Sequence, residues 1–366
     1  MRHAPVRSRR RAVAVALALA FLGGLARPTR AADETRRDPF RLHTIRFEFD
    51  NDTFLKSDDA FTAGWGLQIH GPMDDTWGRA WAGWIGRLPG LGDDGDGGRI
   101  VRWAAGFGQM MFTPREITLE APQPDDVPWA GILGAAVSWS AYDNRRLAGM
   151  QIYLGCMGPC SGAESVHKFI HQNLAIGDPP AGWDNQLARR TLANLNYEYR
   201  YKILVRDPEA YRPGRFATDL ALGGEAGLGN LTTFAQAQIE FRFGWGLPMG
   251  FTPTPDPPGL GIMLDPTWLD RWAPLPDRSA WRTWFSLVGR GAWIGRLAPL
   301  DGGGTVNGGE HPGLDDDTGT LQALVGAHVA RAPVAFHATW YHDFDQSVSG
   351  STSAPDWVNL SFECRF

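Results

Sequence analysis

Apolar and polar residues alternate strictly in two segments near the start of the chain, residues 44–50 and 61–70. A period of two residues is typical of a β-strand with one apolar and one polar face. The two segments are separated by a short polar stretch, so they predict a hairpin. Carried past the end of the first strand, the alternation places Asp52 on the polar side, where Thr62 is also expected to point.

Ten further segments show the same alternation, which predicts about twelve strands. They are residues 100–112, 129–141, 150–156, 194–202, 216–228, 233–243, 281–294, 319–330, 334–342 and 356–366. A soluble β-sandwich would bury the apolar faces, whereas a transmembrane barrel would turn them to lipid. Alternation alone is compatible with both architectures.

Three features favour the barrel. Residues 1–31 form a predicted secretory signal peptide, with an arginine-rich start, an apolar stretch and small residues at a cleavage site after Ala31. Aromatic residues are frequent at predicted strand ends, and the last strand stops on Phe366, as in bacterial outer-membrane barrels. No later apolar run is long enough for a membrane-spanning helix. Residues 32–366 therefore predict an all-β, twelve-stranded antiparallel transmembrane β-barrel in the bacterial outer membrane.

The strand order predicts which connections lie outside the cell. Both ends of an even-stranded barrel are periplasmic, so the external connections are residues 51–60, 113–128, 157–190, 229–232, 295–318 and 343–355. The long periplasmic connection 71–99 carries Trp77, Trp81 and Trp84 at helical spacing. It predicts a short amphipathic helix against the membrane or the barrel rim, or else a plug beneath the lumen. Residues 244–279, rich in proline, form a second long periplasmic connection.

Charge and cysteine content narrow the function. Removal of the signal peptide would take away seven arginines and no acidic residue, which leaves 28 basic against 40 acidic residues. This net negative charge argues against a basic nucleic-acid-binding surface. Cys156 and Cys160 are spaced for a local disulfide in an oxidising compartment, and their pattern does not match a zinc site.

The predicted external connection 157–190 contains two histidines, His167 and His171. Their spacing places them on one face of a helix. Such a pair could bind a metal, or one imidazole could act as a general base while the other positions a ligand. A polar helix face that merely covers the barrel has the same pattern. The predicted topology brings Asn51, Asp52 and Thr62 to this same end of the barrel.

Six short motifs, taken in order, resemble the lipid A 3-O-deacylase family of outer-membrane barrels. The motifs are Asn51-Asp52, Phe61-Thr62-Ala63-Gly64, Gly108-Gln109 with Thr113-Pro114, Pro128-Trp129-Ala130-Gly131, the segment from Glu164 to His171, and Gly182-Trp183-Asp184-Asn185-Gln186-Leu187. The resemblance covers nearly the whole chain after the signal peptide. It implies a calcium-dependent enzyme that removes the acyloxyacyl group at the 3′ position of lipid A, within lipopolysaccharide.

The same resemblance implies roles for individual residues. His171 would be the catalytic base, and Asn51, Asp52 and Thr62 an active-site polar cluster in which Asp52 and Thr62 would hold the calcium ion. The chain departs from the family at His167, where a glutamine is expected. An expected lysine cannot be placed, because residues 99–150 contain none; Arg115 and Arg145 are possible replacements.

Two other functions are compatible with the sequence. A serine–histidine esterase or phospholipase could use Ser161 or Ser165, although no Gly-x-Ser-x-Gly element supports this. A channel or structural barrel could have a lumen lined by Glu198, Arg200 and Lys202, with Glu240 and Arg242 opposite. We expect these opposite charges to pair and close the lumen.

Overall fold

The computed structural model describes residues 42–51, 61–77, 83–93, 98–174, 178–252, 263, 280–314, 318–344 and 356–366. The predicted signal peptide, Asp52 and Trp81 lie outside this part of the chain. Described strands and helices are numbered below in chain order.

Twelve antiparallel strands form a closed barrel, in which each strand pairs with its neighbours in sequence and the first pairs with the last. The barrel strands are β1 (Thr44–Asn51), β2 (Phe61–His70), β3 (Ile100–Phe112), β4 (Ala130–Tyr142), β5 (Arg146–Met157), β6 (Arg190–Leu204), β7 (Phe216–Gly229), β8 (Thr232–Trp245), β9 (Arg282–Leu297), β12 (Thr318–Arg331), β13 (Val334–Asp343) and β14 (Asp356–Arg365). A small hairpin, β10 (Gly303–Gly304) and β11 (Glu310–His311), lies in the connection between β9 and β12. The predicted twelve-stranded antiparallel barrel is confirmed.

Most predicted strand bounds lie within about three residues of the observed ones, because the alternation follows the two faces of the wall; β5, however, begins at Arg146, four residues before its predicted start. In β6, Leu195 is 47% exposed on the outside, whereas Asn196 is 1% exposed on the inside. Strand β6 begins at Arg190, four residues before the predicted start, because the ladder to β5 continues there without a clear alternation. An apolar outer face around a polar interior is the arrangement of a transmembrane barrel. No described helix is long and apolar enough to cross a membrane.

Buried ion pairs fill the lumen at its periplasmic end. The Asp219 carboxylate accepts hydrogen bonds from Arg242 at 2.5 Å and from Lys202 at 2.9 Å. Arg200 pairs with Glu198 on its own strand and lies 3.6 Å from Glu240. Each charge thus has an opposite charge beside it, which offsets the cost of its removal from water. The expectation that the lumen charges pair is confirmed.

The connection after β8 closes the lumen from the periplasmic side, which the sequence did not indicate. Lys202 donates to the carbonyls of Met249 and Gly250 at 2.5 and 2.7 Å. Arg242 also donates to Gly250, and Arg200 donates to the carbonyl of Thr252. These contacts use backbone acceptors, so no side-chain pattern in residues 246–252 predicts them.

Apolar side chains close the other end of the lumen. They come from the tops of β3 to β6 and from the external connections, and include Met110, Phe112, Ile132, Leu187 and Leu300, each no more than 5% exposed. The described part of the barrel therefore has a packed interior with a closure at both ends. This packing argues against a channel that conducts ions steadily.

The described part of the connection 71–99 lies on the outer wall at the periplasmic end. Trp77, Ile85 and Leu91 pack against outward-facing residues of β3, β4 and β5. Within the described residues of this connection, the helical segment is a short 3₁₀ helix, Ile85–Arg87. Residues 78–82 lie outside them, so the predicted amphipathic helix stays a prediction. Of the two predicted positions, the barrel rim is correct for these residues and the plug is not.

The wall assignment can be tested by cysteine labelling in membranes. We expect Leu195→Cys to react with a lipid-soluble maleimide and to resist a membrane-impermeant one. The neighbouring Asn196→Cys faces the packed lumen, so it should resist both reagents until the barrel is unfolded. Equal labelling of the two folded variants would contradict the barrel assignment.

Candidate functional site

The external connection after β5 forms helix α1 (Ala163–Leu174), which lies against the outer wall of the barrel. Odd-numbered residues of β3 and β4 face outward, as the exposed side chains of Phe107 and Val137 show. Ala163 packs with Met111 from this outward face, together with Ala63 of β2. The helix therefore stands on the lipid-facing side of the wall, not over the lumen.

Two motif residues dock the start of α1. The side chain of Gln109 faces outward, and its Nε2 donates to the carbonyl of Ser161 at 2.7 Å. Gly131 lies directly beneath this turn, where a Cβ would be 2.2 Å from Ser161 Oγ and 2.3 Å from the Cβ of Ala163. Only a glycine allows so close an approach. The Gly-Gln and Pro-aromatic-Ala-Gly motifs thus fix the helix to the wall.

A disulfide between Cys156 and Cys160 joins the top of β5 to the 3₁₀ turn Pro159–Ser161. The predicted local disulfide is confirmed. Gly162 follows with φ +66°, a left-handed conformation that glycine adopts without strain, and α1 begins at the next residue. The disulfide therefore limits the movement of the turn from which α1 starts.

The sequence of α1 gives it a wall face and an outer face. Ala163 and His167 are buried and His171 is half-buried, at the spacing of one helical face. Phe169 is 62% exposed, and Glu164 pairs with Lys168 at 2.6 Å on the outer side. The predicted shared face of His167 and His171 is confirmed.

Two tryptophans surround His167. Trp183 Nε1 donates to His167 Nδ1 at 3.2 Å, and the ring of Trp129 packs against Trp183 with centroids 5.0 Å apart. His167 is 2% exposed, and its Nε2 has no hydrogen-bond partner in the described residues. Burial, together with the nearby His171, lowers the pKa of His167 to about 3, so this imidazole is neutral at physiological pH.

His171 lies one turn further along α1, and its ring meets that of His167 edge-on with centroids 4.7 Å apart. Its Nδ1 is buried and also has no partner in the described part of the chain. A neutral imidazole nitrogen in this state can accept a proton. His171 can therefore act as a base, whereas the lowered pKa of His167 keeps that imidazole neutral at physiological pH.

The main chains of Asn51 and Thr62 lie near the foot of α1. Asn51 pairs with Ala63, which packs in the cluster under the helix. A register shift between Phe61 and Ala63 falls at Thr62. The side chain of Thr62 lies outside the described part of the structure, so the expectation that it points to the same polar side as Asp52 stays a prediction. Asp52 itself lies outside the described residues.

The structure also gives the positions of the four remaining candidates, Arg145, Ser161, Ser165 and Arg115. Arg145 lies in the turn between β4 and β5, at the periplasmic end, so it cannot join the site. Ser161 Oγ donates to the carbonyl of Gly158 at 2.7 Å and accepts from the amide of Ala163, which makes it a structural residue. Ser165 is exposed on α1. Arg115 lies in the connection after β3, where its amide donates to Asp126.

Trp183 and Gln109 are further functional candidates, for which the sequence showed no role beyond their places in two of the six motifs. The signal for Gln109 is its polar side chain at an odd, outward position of β3. The signal for Trp183 is the motif that follows α1, whose Gly182 has no room for a Cβ beside Trp129 Nε1. Within the described ranges, no group of three or more histidine, cysteine or carboxylate side chains is placed to hold a metal.

Comparison with known proteins gives a family and a fold. The sequence model of the family described as outer membrane protein LpxR matches residues 13–366. LpxR from Salmonella typhimurium has a similar structure, with a TM-score of 0.65 at 14% identity, over 88% of this chain and 100% of that chain. The β domain of the Bordetella autotransporter BrkA matches at a TM-score of 0.41 and 10% identity, over 89% of this chain and 99% of that chain. A comparison with curated protein sequences found no match.

Proposed function

Since the chain belongs to the LpxR family of outer-membrane proteins, we propose that it is an esterase that hydrolyses the 3′-acyloxyacyl ester of lipid A. The observation that carries the proposal is the position of α1, which holds half-buried His171 against the lipid-facing side of the wall. A lipid ester in the outer leaflet can reach this place without entering the closed lumen. Lipid A in lipopolysaccharide is the substrate that this geometry and the family together favour.

The proposed reaction uses His171 as general base. Its unpartnered Nδ1 takes a proton from water as the water oxygen attacks the ester carbonyl. The bond between the acyl carbon and the sugar oxygen then breaks, and the protonated imidazole returns its proton to the departing alkoxide. The products are a free acyloxyacyl acid and a lipid A with one free hydroxyl. General acid–base catalysis of this kind contributes about 10²–10⁴-fold to a rate.

Calcium is the cofactor proposed for this site. Asn51, Asp52 and Thr62 offer amide, carboxylate and hydroxyl oxygens, the donors that a hard cation prefers. The main chains of Asn51 and Thr62 belong to the strand pair under α1, which supports a cation site at the foot of the helix. When bound, a cation there would stabilise negative charge on the ester oxygen. Asp52 and Thr62 are the proposed ligands.

Other mechanisms have less support. Ser161 is engaged with the backbone of its own turn. Ser286 Oγ lies 2.9 Å from His328 Nε2, but this pair is buried in the lumen beneath Trp284, which stacks on His328. An ester in the membrane cannot reach it. The closed lumen likewise gives a channel function little support.

The proposal is tested by mass spectrometry of lipid A from cells that express the protein. We expect a species that has lost the mass of one acyloxyacyl group, and none in cells that express His171→Ala. Phospholipids from the same cells should be unchanged. Intact lipid A beside lysophospholipids would instead support a phospholipase.

The calcium requirement gives a separate prediction. A calcium chelator should stop hydrolysis and added calcium should restore it. Asp52→Asn keeps the shape of the side chain but removes its charge, so the calcium concentration for half-maximal rate should rise on the order of tenfold or more. Asp184→Asn, at an exposed carboxylate of another external segment, is the matched control and should leave it unchanged. Full activity in the chelator would refute the role of the metal.

A further inference from the structure

We propose that Trp183 is a positioning residue for the hydrolysis, and that it holds the His167 imidazole as the tautomer with its proton on Nε2. This inference rests on the function proposed above. Trp183 is 0% exposed and His167 2% exposed, so water does not compete for the 3.2 Å hydrogen bond between them. The bond therefore determines which nitrogen of His167 carries the proton.

The direction of this hydrogen bond follows from the chemistry of the two rings. An indole N–H can only donate. His167 Nδ1 must then accept, which it can do only with a free lone pair. A proton on Nδ1 would face the proton of Trp183 Nε1. The single proton of the neutral imidazole is therefore on Nε2, and His167 presents a donor there.

That donor has no acceptor among the described residues, and His171 Nδ1 has no donor. Buried polar atoms are rarely left unpaired, so two on neighbouring rings indicate a ligand. A water molecule within reach of both nitrogens would satisfy both atoms. His167 Nε2–H would donate to its oxygen, and His171 Nδ1 would accept the proton of the water. Trp183 thus gives the two histidines opposite roles.

The same bond excludes His167 as a neutral metal ligand. A neutral imidazole has one nitrogen with a free lone pair, and in His167 Trp183 occupies it. Metal-binding histidines instead donate their other N–H to an acceptor. The sequence allowed a site in which both histidines bind a transition metal, and Trp183 argues against it.

Trp183 is held rigidly enough for this task. It lies in the 3₁₀ helix Gly182–Asn185, next to the closely packed Trp129. The amide of Ala181 donates to the carbonyl of Ile117 at 2.8 Å, and Asn185 Nδ2 donates to the carbonyl of Glu120 at 2.7 Å. Both ends of the short helix are therefore fixed to the connection that carries Trp129.

The tautomer can be measured without any assay of activity. In protein labelled with ¹⁵N-histidine, the His167 signals are assigned by their loss in His167→Gln. We expect an unprotonated Nδ1 and a protonated Nε2 at neutral pH, and a mixture of both tautomers in Trp183→Phe. A proton on Nδ1 of the unaltered protein, or an unchanged pattern in Trp183→Phe, would overturn the inference.

Kinetics then test the positioning role. Trp183→Phe keeps an aromatic ring but removes the indole N–H and its hydrogen bond, so kcat/KM should fall about 2- to 10-fold. In a His167→Ala background the same change should have no further effect, because the bond is already lost. Trp77→Phe is the matched control, since it removes a buried indole hydrogen bond to Leu91 at the periplasmic end, and its rate should be unchanged.

The outcomes separate the two proposals. An equal loss from Trp183→Phe in both backgrounds would show a packing effect only and would refute the positioning role. An unaltered protein with no activity on lipid A would refute the proposed function, and the tautomer measurement would still decide whether Trp183 controls His167.

Discussion

Replacement of His171 by alanine should remove most of the hydrolytic rate, on the order of 10²–10⁴-fold for loss of a general base. The His171 imidazole is half-buried, and no described residue forms a hydrogen bond with its Nδ1, so this nitrogen is free to accept the proton. Lipid A hydrolysis by purified protein in detergent gives the measurement. Binding of lipid A should change little, so the loss should appear in kcat.

His167→Gln is the matched control for that experiment. A glutamine amide can donate a hydrogen bond as His167 Nε2–H does, so this variant should retain substantial activity. The pKa of His167, lowered to about 3 by burial and by His171, keeps it neutral between about pH 5 and 8. The acid limb of the pH profile should therefore have a slope of one and stay in place in His167→Gln. An inactive His167→Gln beside an active His171→Ala would reverse the assignment.

The strands could be predicted from the sequence because lipid and lumen impose a period of two on every strand. Leu195 and Asn196 illustrate this, since adjacent residues differ between 47% and 1% exposure. The ion pairs of the lumen were also predictable, because opposite charges stand at inward positions of neighbouring strands. Both are local consequences of the alternation.

The position of the site could not be predicted in the same way. Whether α1 stands outside the wall or over the lumen depends on contacts between distant segments, such as Gln109 with Ser161. The polar outward Gln109 was a usable signal, but its partner is a backbone carbonyl that leaves no trace in the sequence. The closure of the lumen by Met249 and Gly250 escaped prediction for the same reason.

The docking of α1 should itself be essential for activity, and Gly131→Ala tests this. The new Cβ would lie 2.2 Å from Ser161 Oγ and 2.3 Å from the Cβ of Ala163. The wall is fixed by the ladders of β4 with β3 and β5, so the start of α1 must move away. Because a misplacement of about 1 Å can cost 10²-fold in rate, we expect a loss of about 10²-fold or more in an otherwise intact barrel.

Gly291→Ala is the matched control, since its Cβ meets only Leu321, at 3.5 Å. It should keep full activity, and both variants should show the same heat-dependent shift of a folded barrel in gel electrophoresis. Ser161→Gly with Ala163→Gly removes both clashing atoms, so adding this pair to Gly131→Ala should recover part of the rate. Full activity of Gly131→Ala alone would mean that hydrolysis does not depend on the position of α1 against the wall. If the triple variant forms a folded barrel but stays inactive, the displaced helix is not the cause of the lost rate.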